Sequence, residues 1–257
     1  MIPPRLVLTG SPQHLASADV KASLDALQHL NSGWKIQVFT DNQQLEFINK
    51  HYPAGIKESY LQINPRYGAA RADLFRYLAI YILGGAYLDI KSTCLTPLDA
   101  VLRSDDSLVI SQWDNQVGRP YEGWGLSPDV WDIAGGEYVN WFFAAEPKNP
   151  ILLDVIKHVL QQINTYQPQN NNLGRNGILR VTGPLAWSRA IISTFRQQRG
   201  DINYRLRIVK PEDAGLVYSI FGSTETPGGL LRHRGIFPDH YSKSDEPVVL
   251  GNTGNSR

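Results

Sequence analysis

The sequence predicts an α/β fold, with a mostly parallel central sheet covered by helices on both faces. Short apolar strands are expected at Arg5–Thr9 and Lys35–Thr40. A stretch with apolar residues at helical spacing follows each strand, first at Ser17–Leu30 and then at Gln43–His51. This strand–helix–strand–helix order predicts parallel strands joined by crossover helices, and such sheets bind ligands beyond the carboxyl ends of their strands.

Composition narrows the class of protein. Of the 257 residues, 42% are hydrophobic and 19% are charged, and 25 Lys and Arg stand against 24 Asp and Glu. This balance argues against an unspecific nucleic-acid binder and against a polybasic membrane anchor. Because Cys94 is the one cysteine, an intramolecular disulfide and a cysteine-cluster zinc site are excluded.

The chain shows no linker and no internal repeat, so we expect one domain over residues 1–250 and a disordered tail at 251–257. The longest apolar run, Leu78–Leu88, contains two glycines and is shorter than the about 20 residues that span a membrane. The N-terminus lacks the pattern of a secretory signal. A cytoplasmic protein is therefore expected.

The most informative segment is a predicted helix, Pro65–Leu83, followed by two glycines and a buried strand, Ala86–Ile90. The helix carries Asp73 and Arg76 three positions apart, so the two can form a surface ion pair or grip one ligand together. The strand delivers Asp89 to its carboxyl end. An acidic residue there serves either a nucleotide-sugar or metal site, or simply a turn.

The second half of the chain contains a long loop, 114–136, that is rich in Gly, Pro, Trp and Asp. Loops of this length are often binding loops. Further strands are expected on both sides of it and near the C-terminus, at Leu108–Gln112, Tyr138–Ala145, Asp201–Val209 and Leu216–Phe221, and helices at 149–163 and 183–196.

Aromatic residues in and beside this loop are candidates for binding an acceptor. The rings of Trp113, Trp124 and Trp131 can stack on sugar faces, and the carboxylate of Asp114 can accept hydrogen bonds from hydroxyls. The alternative is a packed lid with buried tryptophans and an aspartate that serves a turn. From the sequence, both interpretations are open.

The segment from Ala69 to Asp99 resembles the hallmark segment of glycosyltransferase family 32, the group with a sugar-binding region containing a DXD motif. That group includes initiating mannosyltransferases and bacterial polysaccharide enzymes. Weaker similarities occur in the same order as in the family, at the opening strand from Ile2, at 34–41, at 140–150 and at the turn 182–184. The resemblance therefore covers roughly residues 2–190.

The resemblance implies a GT-A fold and transfer of a sugar from a nucleotide-diphosphate donor with retention at the anomeric carbon. By position, Asp73 would bind hydroxyls of the donor sugar. Arg76 would contact the diphosphate or the sugar. Asp89, the first acid of the DXD motif, would bind ribose, sugar or metal-bound water.

The resemblance also implies a nucleoside site at the ends of the first two strands. Thr9 and Asp41 would lie near the nucleoside. Gly68 and Ala69 would let the base approach the backbone closely. No side-chain base or nucleophile stands out, and front-face attack needs none, since positioning and charge stabilisation suffice.

Lys91 departs from the family, because it stands where the second acid of the DXD motif is normally a metal ligand. A protonated ammonium has no lone pair for a cation. Two interpretations are open. In one, Mn²⁺ or Mg²⁺ is held by Asp89 with other ligands, and His240 is the best candidate, against the alternative of an ordinary exposed histidine. In the other, Lys91 itself supplies positive charge to the leaving diphosphate, so that Asp89, Lys91 and Arg76 carry catalysis without metal.

The sequence thus predicts an enzyme that moves a hexose or N-acetylhexosamine from a UDP- or GDP-sugar to a glycan or lipid-linked glycan, as in polysaccharide biosynthesis. Two alternatives are a toxin-like transferase acting on protein hydroxyls and a non-catalytic relative that binds nucleotide sugars or glycans. A Rossmann oxidoreductase fits poorly, because no Gly-x-Gly-x-x-Gly follows the first strand. No nucleic-acid partner and no transmembrane segment are expected, and peripheral membrane association stays open.

Overall fold

The computed structural model describes residues 1–171, 173–197, 206–220 and 245–251. His240, the predicted tail beyond Gly251 and the first residues of the strand predicted at Asp201–Val209 lie outside the described residues. The strands, in chain order, are β1 Arg5–Thr9, β2 Lys35–Phe39, β3 Gly85–Leu88, β4 Thr93–Cys94, β5 Leu108–Gln112, β6 Tyr138–Ala145, β7 Leu206–Val209 and β8 Leu216–Val217. The α-helices are α1 Pro12–Ala16, α2 Ala18–Leu30, α3 Asp41–His51, α4 Ala54–Gln62, α5 Gly68–Leu83, α6 Leu98–Val101, α7 Pro150–Asn164, α8 Pro168–Asn171, α9 Gly174–Val181 and α10 Pro184–Gln197.

The central sheet has the order β2-β1-β3-β6-β5-β7 within the described part of the chain. Strand β1 runs parallel to β2 and β3, and β5 runs parallel to β7. Strand β6 is antiparallel to both of its neighbours, β3 and β5. The mostly parallel α/β sheet predicted from the sequence is therefore confirmed, with one antiparallel strand at its centre. A separate pair, β4 and β8, joins the segment after β3 to residues near the C-terminus.

The four inner strands of the sheet, β1, β3, β6 and β5, are buried on both faces, as expected for strands covered by helices. Along β1, Val7 packs into a core with α3, α5, α7 and α10, whereas Leu6 and Leu8 pack into a second core with α2 and α6. This alternation follows from the two-residue period of a strand. Helix α5 lies deep in the first core, since most of its middle residues are buried, including the charged pair Asp73 and Arg76.

Two glycines end α5 and start β3. Gly84 and Gly85 have φ of 62° and 101°, in the region that side chains with a Cβ rarely adopt. A Cβ on Gly85 would lie 2.4 Å from the carbonyl oxygen of Arg5 on the neighbouring strand. The turn therefore needs glycine both for its dihedral angles and for the close approach of β3 to β1, which brings Asp89 to the carboxyl edge of the sheet.

The structure differs from the expected elements in several places, and the short helices α1 and α4 were among those not predicted. Helix α9 was not predicted either, and its Gly174 and Gly177 disfavour a helix by propensity. Both are buried in the structure, so tertiary packing outweighs that preference. The last strand, expected over Leu216–Phe221, covers only β8 in the described part, and Tyr218 leaves it toward the cleft described below. Among the described helices, none combines the length and apolar character that a membrane span requires.

Replacing Gly85 with alanine should destabilise the fold by roughly 2 kcal/mol or more, because the added Cβ meets the Arg5 carbonyl in a strained backbone conformation. Urea unfolding followed by circular dichroism would measure the loss. Gly55→Ala is the matched control, since a Cβ at that position in α4 has no neighbour within 4 Å. It should leave stability unchanged or raise it slightly. Equal effects of the two substitutions would contradict the role given to Gly85.

Candidate functional site

A cleft of about 410 Å³ lies beyond the carboxyl end of β3. Its walls come from the first turns of α5 and α9, the residues at the start of β6, and the aromatic loop between β5 and β6. Asp73, Arg76, Asp89 and Lys91, four of the residues singled out from the sequence, all line it. The topology thus places the cleft where ligands bind in parallel sheets.

The centre of the site is the buried guanidinium of Arg76, which joins two carboxylates. Its Nη2 lies 3.0 Å from Asp73 Oδ1 and 3.2 Å from Asp89 Oδ1. Its other nitrogens donate to backbone oxygens, Nη1 to Asn140 at 2.6 Å and Nε to Ala72 at 3.3 Å. The side chains of Asp73 and Arg76 are only 8% and 5% exposed. The structure therefore excludes the solvent-exposed ion pair that the spacing left open.

Asp73 is held by three donors, two of which come from distant parts of the chain. Besides Arg76, the side-chain amide of Asn140 donates to Oδ1 and the hydroxyl of Thr182 donates to Oδ2, both at 3.0 Å. Burial raises the pKa of Asp73 to about 6, although Arg76, Thr182 and Asn140 act to lower it. Asp73 lines the cleft. Because three donors hold its carboxylate, the orientation of that group is fixed before any ligand arrives.

A bulge in β6 positions Asn140. Ile110 on β5 pairs with Phe143, but the next residue, Ser111, pairs with Val139, so three residues of β6 have no partner on β5. Bulges re-aim side chains and occur often beside active sites. Here the bulge places Asn140 where it contacts Asp73 and the hydroxyl of Tyr77.

Asp89 lies at the edge of this network and links it to β1. Its Oδ1 accepts a hydrogen bond from the Tyr87 hydroxyl at 2.9 Å, and that hydroxyl is 3.0 Å from Thr9 Oγ1. The guanidinium of Arg76 lies 4.4 Å from the centroid of the Tyr87 ring. Thr9, predicted near a nucleoside, is thus tied to the DXD-like acid through one tyrosine.

Lys91 reaches the same carboxylate more loosely. Its Nζ lies 3.7 Å from Asp89 Oδ2 and donates to the hydroxyl of Tyr218 at 3.0 Å. Tyr218 is itself anchored, because its carbonyl accepts from Ser92 Oγ and its segment pairs with β4. The ammonium therefore lies between an acid after β3 and a tyrosine contributed by the C-terminal part of the chain.

The described residues do not fit a divalent cation at Asp89. Its carboxylate already contacts a guanidinium, an ammonium and a phenol, and cations around a carboxylate repel a metal ion. Within the described ranges there is no group of three His, Cys, Asp or Glu side chains that could hold a metal. The predicted ligand His240 lies outside the described residues, so its role stays a prediction.

The remaining donor-site candidates occupy the expected edge of the sheet. Asp41 is an exposed residue at the first position of α3, directly after β2. Gly68 and Ala69 open α5, and Ala69 lines the cleft. Gly68 is not part of the cleft lining, and a Cβ there would have no neighbour within 4 Å.

The acceptor candidates separate into two groups. Trp113 and Trp124 line the cleft, with ring centroids 5.3 Å apart. Asp114 is buried and forms an ion pair with Arg119, and it is not part of the cleft lining. Trp131 is 85% exposed on the outer surface, away from the lining residues. The structure therefore favours the first two as ligand-contacting residues.

The aromatic loop is fixed in place. Arg180 of α9 pairs with Asp129 at 2.9 Å, and Arg189 of α10 pairs with Asp132 at 2.6 Å. Inside the loop, the side-chain amide of Asn115 donates to the carbonyls of residues 124 and 135. The loop thus forms a preformed wall of the cleft.

Several cleft residues were missed by the sequence analysis. Asn140 and Thr182 carried a signal, since both stand in segments that resemble the family, but no role was assigned to them. Trp141 lies in the same resembling segment as Asn140, whereas Glu137 and Tyr218 had no signal, because only the irregular start of β6 and the pairing of β4 with β8 bring them to the cleft.

Comparison with known proteins confirms the family resemblance. Residues 17–108 match the family model described as "Glycosyltransferase sugar-binding region containing DXD motif". The chain is similar to inositol phosphoceramide mannosyltransferase 1 of Schizosaccharomyces pombe, with 27% identity over 135 residues, covering 52% of this chain and 34% of the relative. It is also similar to a mannosyl phosphorylinositol ceramide synthase of Saccharomyces cerevisiae, with 27% identity over 199 residues, covering 76% and 44% of the two chains. The chain thus spans less than half the length of these two relatives.

Among solved structures, the fold is similar to that of the PaToxG glycosyltransferase, with a TM-score of 0.50 and 15% sequence identity. The likeness covers 77% of this chain and 71% of that one. At this identity it concerns the fold alone. Together with the sheet order, it confirms the GT-A fold.

The buried carboxyl of Asp73 should leave a signature in the pH dependence of stability. Because its pKa in the folded protein, about 6, lies above the ordinary value of 3.8, the folded state binds this proton more tightly than the unfolded chain. Lowering the pH from 7 to 4.5 should therefore stabilise the wild type relative to Asp73→Asn by about 1–2 kcal/mol. Urea unfolding at both pH values measures the difference. The exposed Asp25→Asn is the control, and a difference that does not change with pH would refute the assignment.

Proposed function

We propose that the protein is a retaining glycosyltransferase that moves a hexose or N-acetylhexosamine from a nucleotide-diphosphate sugar to a glycan or lipid-linked glycan. The observation that carries the proposal is the network in which Arg76 joins Asp73 to Asp89 at the floor of the cleft. It lies within the segment that matches the sugar-binding family model. Two acids and two cations at the end of a parallel sheet suit a ligand with hydroxyls beside a diphosphate.

The names of the relatives support a mannosyl donor and a glycolipid acceptor as the first to test. One is an inositol phosphoceramide mannosyltransferase and the other a mannosyl phosphorylinositol ceramide synthase. GDP-mannose is therefore the first donor of a panel that also contains UDP-glucose, UDP-galactose and UDP-N-acetylglucosamine.

In the proposed reaction, Asp73 orients the donor sugar. Three of the lone-pair directions of its carboxylate are used by Arg76, Asn140 and Thr182, which leaves acceptor capacity toward the cleft for a sugar hydroxyl. Arg76 contributes indirectly, since its nitrogens are already engaged and its side chain is almost fully buried. It holds the two carboxylates at a fixed separation.

Lys91 supplies positive charge to the departing diphosphate. The bond from the anomeric carbon to the phosphate oxygen breaks while the acceptor oxygen bonds to the same face of that carbon. The acceptor proton passes to the leaving phosphate oxygen, so no side-chain base is needed. Negative charge grows on the diphosphate, and an ammonium inside the partly dry cleft stabilises it.

Asp89→Asn should lower donor turnover by about 100-fold or more, because it removes one charge from the preorganised network without changing its shape. Hydrolysis of each donor in the panel and the thermal shift on donor binding are the measurements. Asp25→Asn on the exposed face of α2 is the matched control. Donor binding without turnover in the wild type would favour the non-catalytic alternative. Full activity of Asp89→Asn would refute the proposed site.

Lys91 gives a separate test of the charge supplied to the diphosphate. We expect wild-type turnover to persist in excess EDTA. Lys91→Met should lower kcat about 100-fold, and Lys91→Asp should acquire a dependence on added Mn²⁺, since it restores two acids at the motif. If EDTA abolished wild-type activity and Mn²⁺ restored it, the proposal that the lysine acts in place of a metal would be refuted.

A further inference from the structure

Glu137 is a carboxylate in the cleft that no sequence motif singles out. It immediately precedes β6 and lines the cleft together with Trp113 and Trp124. One of its oxygens, Oε1, accepts a hydrogen bond from Trp113 Nε1 at 3.1 Å. Its second oxygen has no hydrogen-bond partner among the residues that the structure describes. The side chain is not fully buried and lines the cleft, so this oxygen can meet a bound ligand.

The carboxylate is held rigidly. The backbone N–H of Glu137 donates to the carbonyl of Gly125 at 2.9 Å. Gly125 has a φ of 73°, and a Cβ there would lie 2.8 Å from the Trp113 ring and 2.9 Å from Glu137 Cγ. The aromatic loop at Gly125 and the side chain of Glu137 are therefore tightly packed against each other. An acceptor atom fixed in this way loses little freedom when it binds a ligand.

The hydrogen bond from Trp113 Nε1 does not by itself require a charged residue at position 137. An amide oxygen would accept that hydrogen bond equally well, whereas a largely buried carboxylate against the Trp113 indole is costly to ionise. Accordingly, burial raises the pKa of Glu137, with Trp113 and Arg175 acting in the opposite direction. The presence of the Glu137 carboxylate in such surroundings points to a ligand that donates hydrogen bonds to it.

The chemistry of the surroundings defines that ligand. A carboxylate oxygen accepts hydrogen bonds and repels phosphate or another carboxylate, so its partner is a neutral donor such as a hydroxyl. The ring of Trp124 is 39% exposed and offers an apolar face to the same cleft. An aromatic face beside a fixed acceptor suits a sugar ring, since its two sides are apolar C–H surfaces and its rim carries hydroxyls.

We propose that Glu137 is the specificity-determining residue of an acceptor subsite that binds an uncharged sugar. Its second oxygen accepts a hydrogen bond from a ring hydroxyl, while the sugar face lies against Trp124. The inference deepens the proposed function and rests on it. It places donor activation at Asp89 and Lys91, and recognition of the acceptor at the aromatic end of the same cleft.

Glu137→Gln tests the subsite, because it keeps the shape and the acceptor for Trp113 but loses the charge. Binding of methyl α-mannoside, methyl α-glucoside and methyl α-glucuronide is followed by quenching of tryptophan fluorescence, without donor. We expect the neutral glycosides to bind the wild type better than the glucuronide, and Glu137→Gln to bind them about 10- to 100-fold more weakly. Glu122→Gln, on the same loop but exposed, is the control and should bind as the wild type does.

A kinetic arm distinguishes this inference from the proposed function. Hydrolysis of the nucleotide sugar uses water in place of the sugar acceptor, so Glu137→Gln should raise KM for the glycoside acceptor and lower transfer much more than it lowers hydrolysis. An equal loss of donor hydrolysis would overturn the assignment to the acceptor. Tighter binding of the glucuronide, or no binding of any glycoside by the wild type, would also overturn it. Glycoside binding without any donor hydrolysis by the wild type would instead refute the proposed transferase and leave the sugar subsite supported.

Discussion

The arrangement of the site depends on one buried cation, the guanidinium of Arg76. A charge in the interior is tolerated only where it is paired and its hydrogens are bonded, and Arg76 meets both requirements with Asp73, Asp89 and two backbone carbonyls. Removing one member of such a group costs about 3–5 kcal/mol, because the others are left buried and unpaired. The network thus fixes helix α5, the end of β3 and the bulge of β6 relative to one another. Its contribution is geometric, since two carboxylates that would otherwise repel are held at the floor of one cleft.

The cost of this arrangement is visible in Asp73. Its pKa is raised to about 6 by burial even though three donors surround it, which shows that desolvation outweighs the pairing. A carboxylate of this kind would be neutralised in a less complete network. Asn140 and Thr182 add to the larger effect of Arg76, and both come from elements that are far from Asp73 in sequence. The strained turn at Gly84 and Gly85 also helps to assemble the site. It brings β3 close enough to β1 for Tyr87 to bridge Thr9 and Asp89.

How far the sequence could predict this structure follows from the range of each interaction. The strands and the long helices were predictable, because alternation and helical spacing are local patterns. The contact of Asp73 with Arg76 was also within reach of local spacing, although its burial was not. Tyr218 and Glu137 could not be placed, because they reach the cleft through β4–β8 pairing and through the irregular start of β6. No period in the sequence encodes such pairing. The choice between an exposed ion pair and a buried network likewise required the tertiary structure, since it depends on what covers α5.

The contacts of Arg76 and Lys91 indicate which of the two cations can bind the diphosphate of a sugar donor. Asp73 and Asp89 balance Arg76 and Lys91, so the cluster is formally neutral before a diphosphate enters. Arg76 lies closer to Asp89 than Lys91 does, 3.2 Å against 3.7 Å, and its remaining nitrogens donate to the backbone. Turning Arg76 toward a phosphate would break several buried contacts at once. Lys91 is more exposed, at 19%, and a flexible stem carries its ammonium. In the proposed reaction the lysine therefore meets the diphosphate, while the arginine keeps the two acids in place.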